Sequence, residues 1–299
     1  MPRAASFQQS SLMEPDVTIV IGSHTPEASL ESCLAALETQ RHRAQVIVVE
    51  GRHCSSDALR ARFPWAEFYT RPGALVPELW REGIARARGR IVALTIAQMI
   101  PAADWVDSIV RAHEEHDAVG GAIDPGERLR RIDWAEYLCR YARDMLPFTP
   151  NHSDDLPGDN ASYKRALLVE EWEHLRQGFW EPVIHPVLRR RGVQLWHTPA
   201  MRVRLGRSCG FGAFARQRME HGRRYPHQRG VHFTRARHVL GILGSPAVPF
   251  LMTARVFRTV FAKKRFRAQA VASLPLVFAL NAVWAFAEAR GHLELVAGR

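Results

Sequence analysis

The residues whose type and position could do chemistry in this chain are a few carboxylates and a crowd of arginines. Glu50 closes the apolar run Val46–Val49, and Asp57 follows at the start of a short helical stretch. A carboxylate at the end of a buried strand can accept hydrogen bonds from a ligand, or it can cap the segment beyond it. Glu181 ends the turn Gly178-Phe179-Trp180-Glu181 and opens another helical stretch. A negative charge there suits the helix dipole, and a carboxylate of suitable pKa could take a proton. Arg202, Arg204, Arg207, Arg216, Arg218, Arg223 and Arg224 lie close together with His221 among them. Such cations can stabilise charge that develops on a leaving phosphate, meet lipid phosphates, or lie on a solvated face.

The chain is basic as a whole, with 41 Lys+Arg against 30 Asp+Glu and a net charge of +11. That charge attracts polyanions, whether nucleic acid, phosphorylated ligands or an anionic bilayer. No nucleic-acid-binding motif accompanies it, and the arginines gather beside an apolar tail rather than among spaced aromatics. Nucleic acid is therefore not expected as a partner. Cys33, Cys54, Cys139 and Cys209 form no CxxC pair and no zinc spacing, which fits a reducing compartment. The opening residues, MPRAASFQQSSLMEP, lack the apolar centre of a signal peptide, so the main domain is expected inside the cell.

The elements that must position these residues alternate. Val17–Ile21, Val46–Val49, Ala66–Thr70 and Arg90–Ile96 read as strands, and Ser29–Gln40, Asp57–Phe63, Leu79–Arg88 and Trp105–His116 as helices. Strands so continuously apolar imply a parallel sheet covered on both faces. Ligands then sit at the strands' carboxyl ends, on loops beginning at Gly22, Glu50 and Ala97. Beyond these, Trp134–Met145 reads as a helix, Leu156–Asn160 as a turn and Ala161–Val169 as a helix. The stretch from Gln177 to Gly192 is a turn leading into a helix, and Val193–Trp196 and Met201–Leu205 are short strand candidates.

In this order the segments from Val17 to Leu205 resemble the family 2 glycosyltransferases. Cys33-Leu34-Ala35-Ala36-Leu37-Glu38-Thr39-Gln40 is similar to that family's "CL.SL..Q" helix, and VIVVEGRHCSSD to its strand ending in an acidic residue and "S.D". Gly83, Ala87 and Gly89 stand in register with its "G...A.G" stretch, LPGDNASYKRALL with "GxN..YrR.aL", and GFWEPVIHPVLRRRGVQLWHTP with "f.eD....rl...G....y.P". The resemblance implies an α/β fold of the GT-A (Rossmann-like) type, with a mixed, mainly parallel sheet and helices on both faces. It places Ser23, Glu50 and Asp57 at the nucleoside and Glu181 on the catalytic base. Asn160, Lys164 and Arg165, with Arg204, Arg223 and Arg224, become candidates for the acceptor or diphosphate.

The family's donor diphosphate usually meets Mg or Mn held by an Asp-x-Asp motif after the fourth strand, because hard cations want carboxylate oxygens. Here the stretch is Leu94-Thr95-Ile96-Ala97-Gln98-Met99, with no carboxylate before Asp104. Gln98 is kept as a donor-pocket candidate, and no residue is assigned as a metal ligand. The family's downstream His is replaced by Met201-Arg202-Val203-Arg204. A cofactor is thus expected from the family while its ligand motif is missing from the chain.

From Val239 the character changes. VLGILGSPAVPFLMTARVF is apolar but interrupted, and Lys263-Lys264-Arg265-Phe266-Arg267 follows. Ala268–Ala287 carries no charge and matches the ~20 residues needed to cross a bilayer. A hairpin of two spans would leave the basic stretch outside, against the positive-inside tendency. Interfacial helices avoid that conflict, while a single span and a soluble hairpin stay open.

The expected organisation is a flexible N-terminus at 1–15, a GT-A domain at 16–230 and an apolar, membrane-associated helical region at 231–299. The expected activity is inverting transfer from a nucleoside-diphosphate sugar, uridine by default, to a glycan or lipid-linked acceptor. The expected location is the cytoplasmic face of the plasma membrane, with the anionic membrane surface as partner. An inactive GT-A-like scaffold and a basic nucleic-acid-binding protein are the alternatives.

Overall fold

The computed structural model describes residues 15–24, 27–51, 54–127, 129–206, 210–230 and 233–298. Residues 1–14, which make up nearly all of the expected flexible N-terminus, lie outside the described residues, as do Arg207 and Cys209. The strands are β1 (Val17–Ser23), β2 (Ala44–Glu50), β3 (Ala66–Thr70), β4 (Ile91–Ile96), β5 (Met99–Pro101), β6 (Ala118–Pro125), β7 (Asn151–Ser153), β8 (Asn160–Lys164) and β9 (Leu195–Leu205). The helices of the first two-thirds are α1 (Glu27–Leu37), α2 (Asp57–Arg62), α3 (Val76–Ile84), α4 (Trp105–Ala112), α5 (Arg131–Tyr141), α6 (Arg165–Glu170) and α7 (Glu181–Arg190). Then follow α8 (Phe211–Arg229), α9 (Arg235–Gly244), α10 (Val248–Lys263) and α11 (Arg267–Val296).

The strands form one sheet in the order β3-β2-β1-β4-β8-β6-β9-β5, with β7 added on β9. β1 to β4 pair in parallel, and every residue of β1 and β4 is buried. Burial on both faces explains why these strands are apolar at consecutive rather than alternate positions. β8 runs antiparallel between β4 and β6, while β9 lies parallel to β6. The sheet is therefore mixed but mainly parallel in its first half, as expected of the α/β class.

Besides β6 (Ala118–Pro125), which the sequence reading does not contain, two segments differ from it. Asn160–Lys164 is a strand rather than the start of a helix, because Ala161, Ser162 and Tyr163 pair with both β4 and β6. The two short candidates at Val193–Trp196 and Met201–Leu205 are parts of one strand, β9, which shifts register opposite Gly121 and Ala122.

α8 packs along α11, and α11 also lies on α5. Val260, Ala270, Val277 and Leu280 of α10 and α11 join the same buried cluster as Tyr137, Leu138 and Tyr141 of α5. The C-terminal helices thus share the core of the α/β domain.

Candidate active site

A cavity of about 480 Å3 lies on the far side of Trp80 from the ends of β1 and β4. Trp80, one turn into α3, locates it: its indole N–H donates to the Thr95 carbonyl at 2.7 Å, and its ring lies against Gly22. The other walls come from the end of α5, the loop 155–159, the start of α7, one face of α8 and the inner face of α10. Gln217, His221 and Tyr225 face it at four-residue spacing from α8, as one helix face requires.

Glu181 is the first residue of α7 and lines this cavity. The residue is half-buried, its carboxylate set against Gly158. Burial is the main cause that pushes its pKa up to about 8; its own backbone N–H opposes this, Asp155 and Asp159 add to it, and Arg140 opposes it. A carboxylate with that proton affinity can act as a general base near neutral pH.

The charges around it are arranged in two networks. Arg140, on α5, donates to Asp159 Oδ2 at 2.6 Å and to Glu136 Oε1 at 3.4 Å, and the Tyr141 hydroxyl donates to the same Asp159 oxygen. In the second network His185, fully buried one turn beyond Glu181, bridges Asp155 and Tyr163. Its Nδ1 meets the Asp155 carboxylate and its Nε2 lies 2.7 Å from the Tyr163 hydroxyl. Arg143 pairs with Asp144 at 3.0 Å and reaches Asp155 at 3.6 Å. Arg255 adds a further cation from α10. Burial first, then Arg140, His24, Arg224 and Arg218, lowers the His221 pKa to about 3.

Ser23, Glu50 and Asp57 gather at the ends of β1 and β2, beside the cavity rather than in its lining. The Ser23 carbonyl accepts the Gly51 N–H at 2.9 Å. Glu50 is buried and engaged, accepting the Ser55 N–H at 2.7 Å, the Ser55 hydroxyl at 2.6 Å and the Arg60 guanidinium at 3.0 Å. Asp57 is exposed on the first turn of α2, which Ser56 caps. Gln98 is buried between β4 and β5, its carbonyl accepting the Gly206 N–H at 2.8 Å.

The remaining candidates disperse. Asn160 is wholly buried: its amide oxygen accepts the Trp105 indole N–H at 2.9 Å, and its nitrogen donates to the Ala122 and Met201 carbonyls at 2.9 and 3.1 Å. It is a core brace and does not reach the cavity. Lys164 and Arg165 lie away from the cavity. β8 is antiparallel to β4, so Asn160 pairs with Thr95 at the site end while Lys164 pairs with Ile91 at the far end. There Lys164 binds Asp117 at 2.6 Å. Arg204 pairs with Glu127 at 3.1 Å and lines a separate hollow with Asp124 and Arg202. Arg223 faces Glu294 of α11 at 2.7 Å, and Arg224 reaches Glu78 of α3 at 3.1 Å. Arg218 is buried between α8 and α11.

Arg140, Asp155, Asp159 and His185 are the site residues that the sequence did not single out. Arg140 left a trace, since it falls on the apolar stripe of α5 between Tyr137 and Tyr141. Asp159 stands inside the LPGDN turn, next to the residue that attracted attention.

The residues at the end of β4 do not suit a divalent cation. Thr95, Ile96, Ala97 and Gln98 offer no carboxylate, and among the described residues no group of three or more His, Cys, Asp or Glu could hold a metal.

No protein-family model matches the chain, and no curated protein matches it. Among solved structures it is similar to that of GalNAc-T7 with UDP, GalNAc and Mn2+, with a TM-score of 0.50 and 14% identity. The match covers 65% of this chain but only 44% of that one, so this chain spans less than half of its length. At such identity the likeness is one of fold, and the fold it identifies here is that of the GT-A glycosyltransferases.

Proposed function

We propose that the chain transfers a sugar from a nucleoside-diphosphate sugar to a glycan or lipid-linked acceptor, with inversion and with Glu181 as the base. The observation that carries this reading is the Glu181 carboxylate at the head of α7, set in the cavity beside the strand ends of a GT-A fold, where burial raises its pKa. In the reaction, the acceptor oxygen attacks the anomeric carbon from the face opposite the diphosphate. Its proton passes to Glu181 as the new C–O bond forms, and the diphosphate leaves with the electrons of the old one. A uridine donor is favoured because the GalNAc-T7 structure holds UDP. No step is routed through a metal, since the end of β4 supplies no fitting ligands. Charge on the leaving group falls instead to Arg140, Arg143 and Arg255 at the cavity wall, an electrostatic task suited to guanidinium groups.

The acceptor is assigned to the membrane because α10 contributes Met252, Arg255, Val256 and Thr259 to the cavity. Residues 235–263 and 267–296 are long and apolar enough to cross a membrane by length and composition. The cytoplasmic face of the plasma membrane is proposed as the location, where a nucleotide-sugar donor from the cytosol would be at hand.

A second reading, a GT-A fold without catalysis, draws on Glu50 being already engaged by Ser55 and Arg60. Calorimetry with a nucleotide panel, with and without Mn2+, separates the two. Binding of one nucleoside diphosphate supports the enzyme, and silence towards all of them supports the scaffold. Glu181→Gln is expected to abolish turnover and spare donor binding; retained turnover removes Glu181 from its role.

A further inference from the structure

The positive charge of the chain has a definite address. Residues 221–287 contain eleven Lys and Arg and no Asp or Glu, so the other residues balance at 30 against 30. Arg223, Arg224 and Arg265 of this stretch find carboxylates at Glu294, Glu78 and Asp124, and Lys263 donates to the carbonyls of Arg143 and Met145. Among the described residues, Arg235, Arg237, Arg255, Arg258 and Lys264 meet no carboxylate.

The exposed apolar side chains share that address. Among the described residues, only Val169 and Phe211 of the large exposed hydrophobics lie outside 239–293. Leu240 and Leu243 of α9 and Phe250 and Leu251 of α10 are each 64–71% exposed. On α10 the opposite face carries Thr253 and Val260, which are buried, and Met252 and Val256, which line the cavity. This pattern of an apolar outer face edged by unpaired cations is that of a helix lying in a lipid interface.

α11 is different. At 30 residues it is about 45 Å long, enough to cross a bilayer, but the α/β domain grips it along much of that length. The Cys139 thiol approaches the Val277 carbonyl at 3.8 Å, and buried Arg218 donates to the Leu280 carbonyl at 2.8 Å and to Asn281 Oδ1 at 3.1 Å. Gly222 lets α8 pass so close that a Cβ there would lie 2.9 Å from Ala287 and 3.1 Å from the Trp284 carbonyl. At Gly291 a Cβ would run into the Arg223 carbonyl. A spanning α11 would have to drag α8, with its many arginines, into hydrocarbon or give up these contacts. Charged side chains are rare and costly there.

We infer that α9 and α10 lie in the plane of an anionic lipid bilayer, and that α11, held on one face by the α/β domain while Val271, Leu274, Phe286 and Leu293 stay exposed, is the brace that carries them rather than a membrane span. The attachment is monotopic, and it sets the α10 wall of the cavity at the headgroup layer. It can be tested without substrate, so its failure is separable from failure of the glycosyltransferase reading.

The test uses the full chain with vesicles of phosphatidylcholine alone or of a phosphatidylcholine–phosphatidylglycerol mixture. Co-sedimentation is expected to be at least about tenfold stronger on the mixture, and to weaken with salt. Leu243→Glu with Leu251→Glu should abolish it with the thermal midpoint unchanged, because both positions are exposed. Arg258→Gln with Lys264→Gln should weaken it roughly tenfold or more. Protein bound to native membranes should be released by alkaline carbonate. Carbonate-resistant protein with residues 267–296 protected from protease would establish a span and overturn the inference. Equal binding to both vesicles, or binding to neither, would overturn it as well.

Discussion

Gly158 lies directly beneath the Glu181 carboxylate, so close that a Cβ at 158 would run into Glu181 Oε1 and come within 3.0 Å of the Trp80 ring. The absence of a side chain at 158 is therefore part of how the Glu181 carboxylate is placed. Oε1 can turn into the cavity, but the buried Trp80 ring, held by the Thr95 carbonyl, must also give way slightly, so Gly158→Ala should cost about 1–2 kcal/mol. The displaced carboxylate no longer points at the acceptor, and misplacement by about 1 Å can cost roughly a hundredfold in rate. Steady-state kinetics beside thermal unfolding checks this: turnover should collapse while the thermal midpoint falls by only a few degrees.

The pH dependence follows from the same carboxylate. Activity needs Glu181 ionised, so kcat/KM should climb with pH, tenfold per unit, and level off above about 8. Asp155 raises that pKa by like charge, and Asp155→Asn should shift the limb to lower pH. Stability moves the other way. The folded pKa is raised above the ordinary 4.5, so the folded state binds the proton more tightly than the unfolded chain. That contribution is complete below 4.5 and is lost as pH rises through about 8. Glu181→Gln should flatten this slope in thermal midpoints recorded across the interval.

How much of this was legible in the sequence depends on what each segment packs against. β1, β2 and β4 are buried on both faces, and their runs of Val, Ile and Leu announced them. β6 was missed because Gly120 and Gly121 dilute its strand signal. A Cβ at Gly121 would run into the Met201 carbonyl and the Asn160 amide, so the register shift against β9 imposes that glycine. β8 read as helical because Ala161-Ser162-Tyr163-Lys164 has no marked β preference, and its neighbours β4 and β6 decide the matter. Glu181 was legible as a candidate from its place in a motif that resembles the family's. The charge networks around it were not, because Arg140 and Asp159 are 19 residues apart and meet only when α5 packs over the start of β8.

Asn160 and the cavity residues should respond differently to truncation. Asn160→Ala leaves the Trp105 indole N–H and the carbonyls of Ala122 and Met201 without their partner in a dry core. Stranded groups of this kind cost about 1–3 kcal/mol each, so a loss of roughly 3 kcal/mol is expected. Chemical denaturation would register it as a lower midpoint with an unchanged slope. Nucleotide affinity of the molecules that remain folded should not change, because Asn160 does not line the cavity.

Arg140 separates a structural cation from a ligand-binding one, and the choice of replacement decides what is learned. Its guanidinium bonds Asp159 and Glu136 together and lies 4.9 Å from the Tyr141 ring centre. Arg140→Ala would leave buried Glu136 and Asp159 without their cation, a loss of roughly 3–5 kcal/mol, and inactivity of that variant would report only misfolding. Arg140→Lys keeps the charge but not the fork that reaches both carboxylates. It should fold, with a thermal midpoint lower by a few degrees. If the guanidinium also meets the donor diphosphate, affinity for UDP measured in EDTA should fall about tenfold, because a compact ammonium held by Asp159 cannot bind the phosphates at two points. Unchanged affinity in a folded Arg140→Lys variant would confine Arg140 to bracing α5 against the loop 155–159, and leave Arg143 and Arg255 as the cations facing the leaving group.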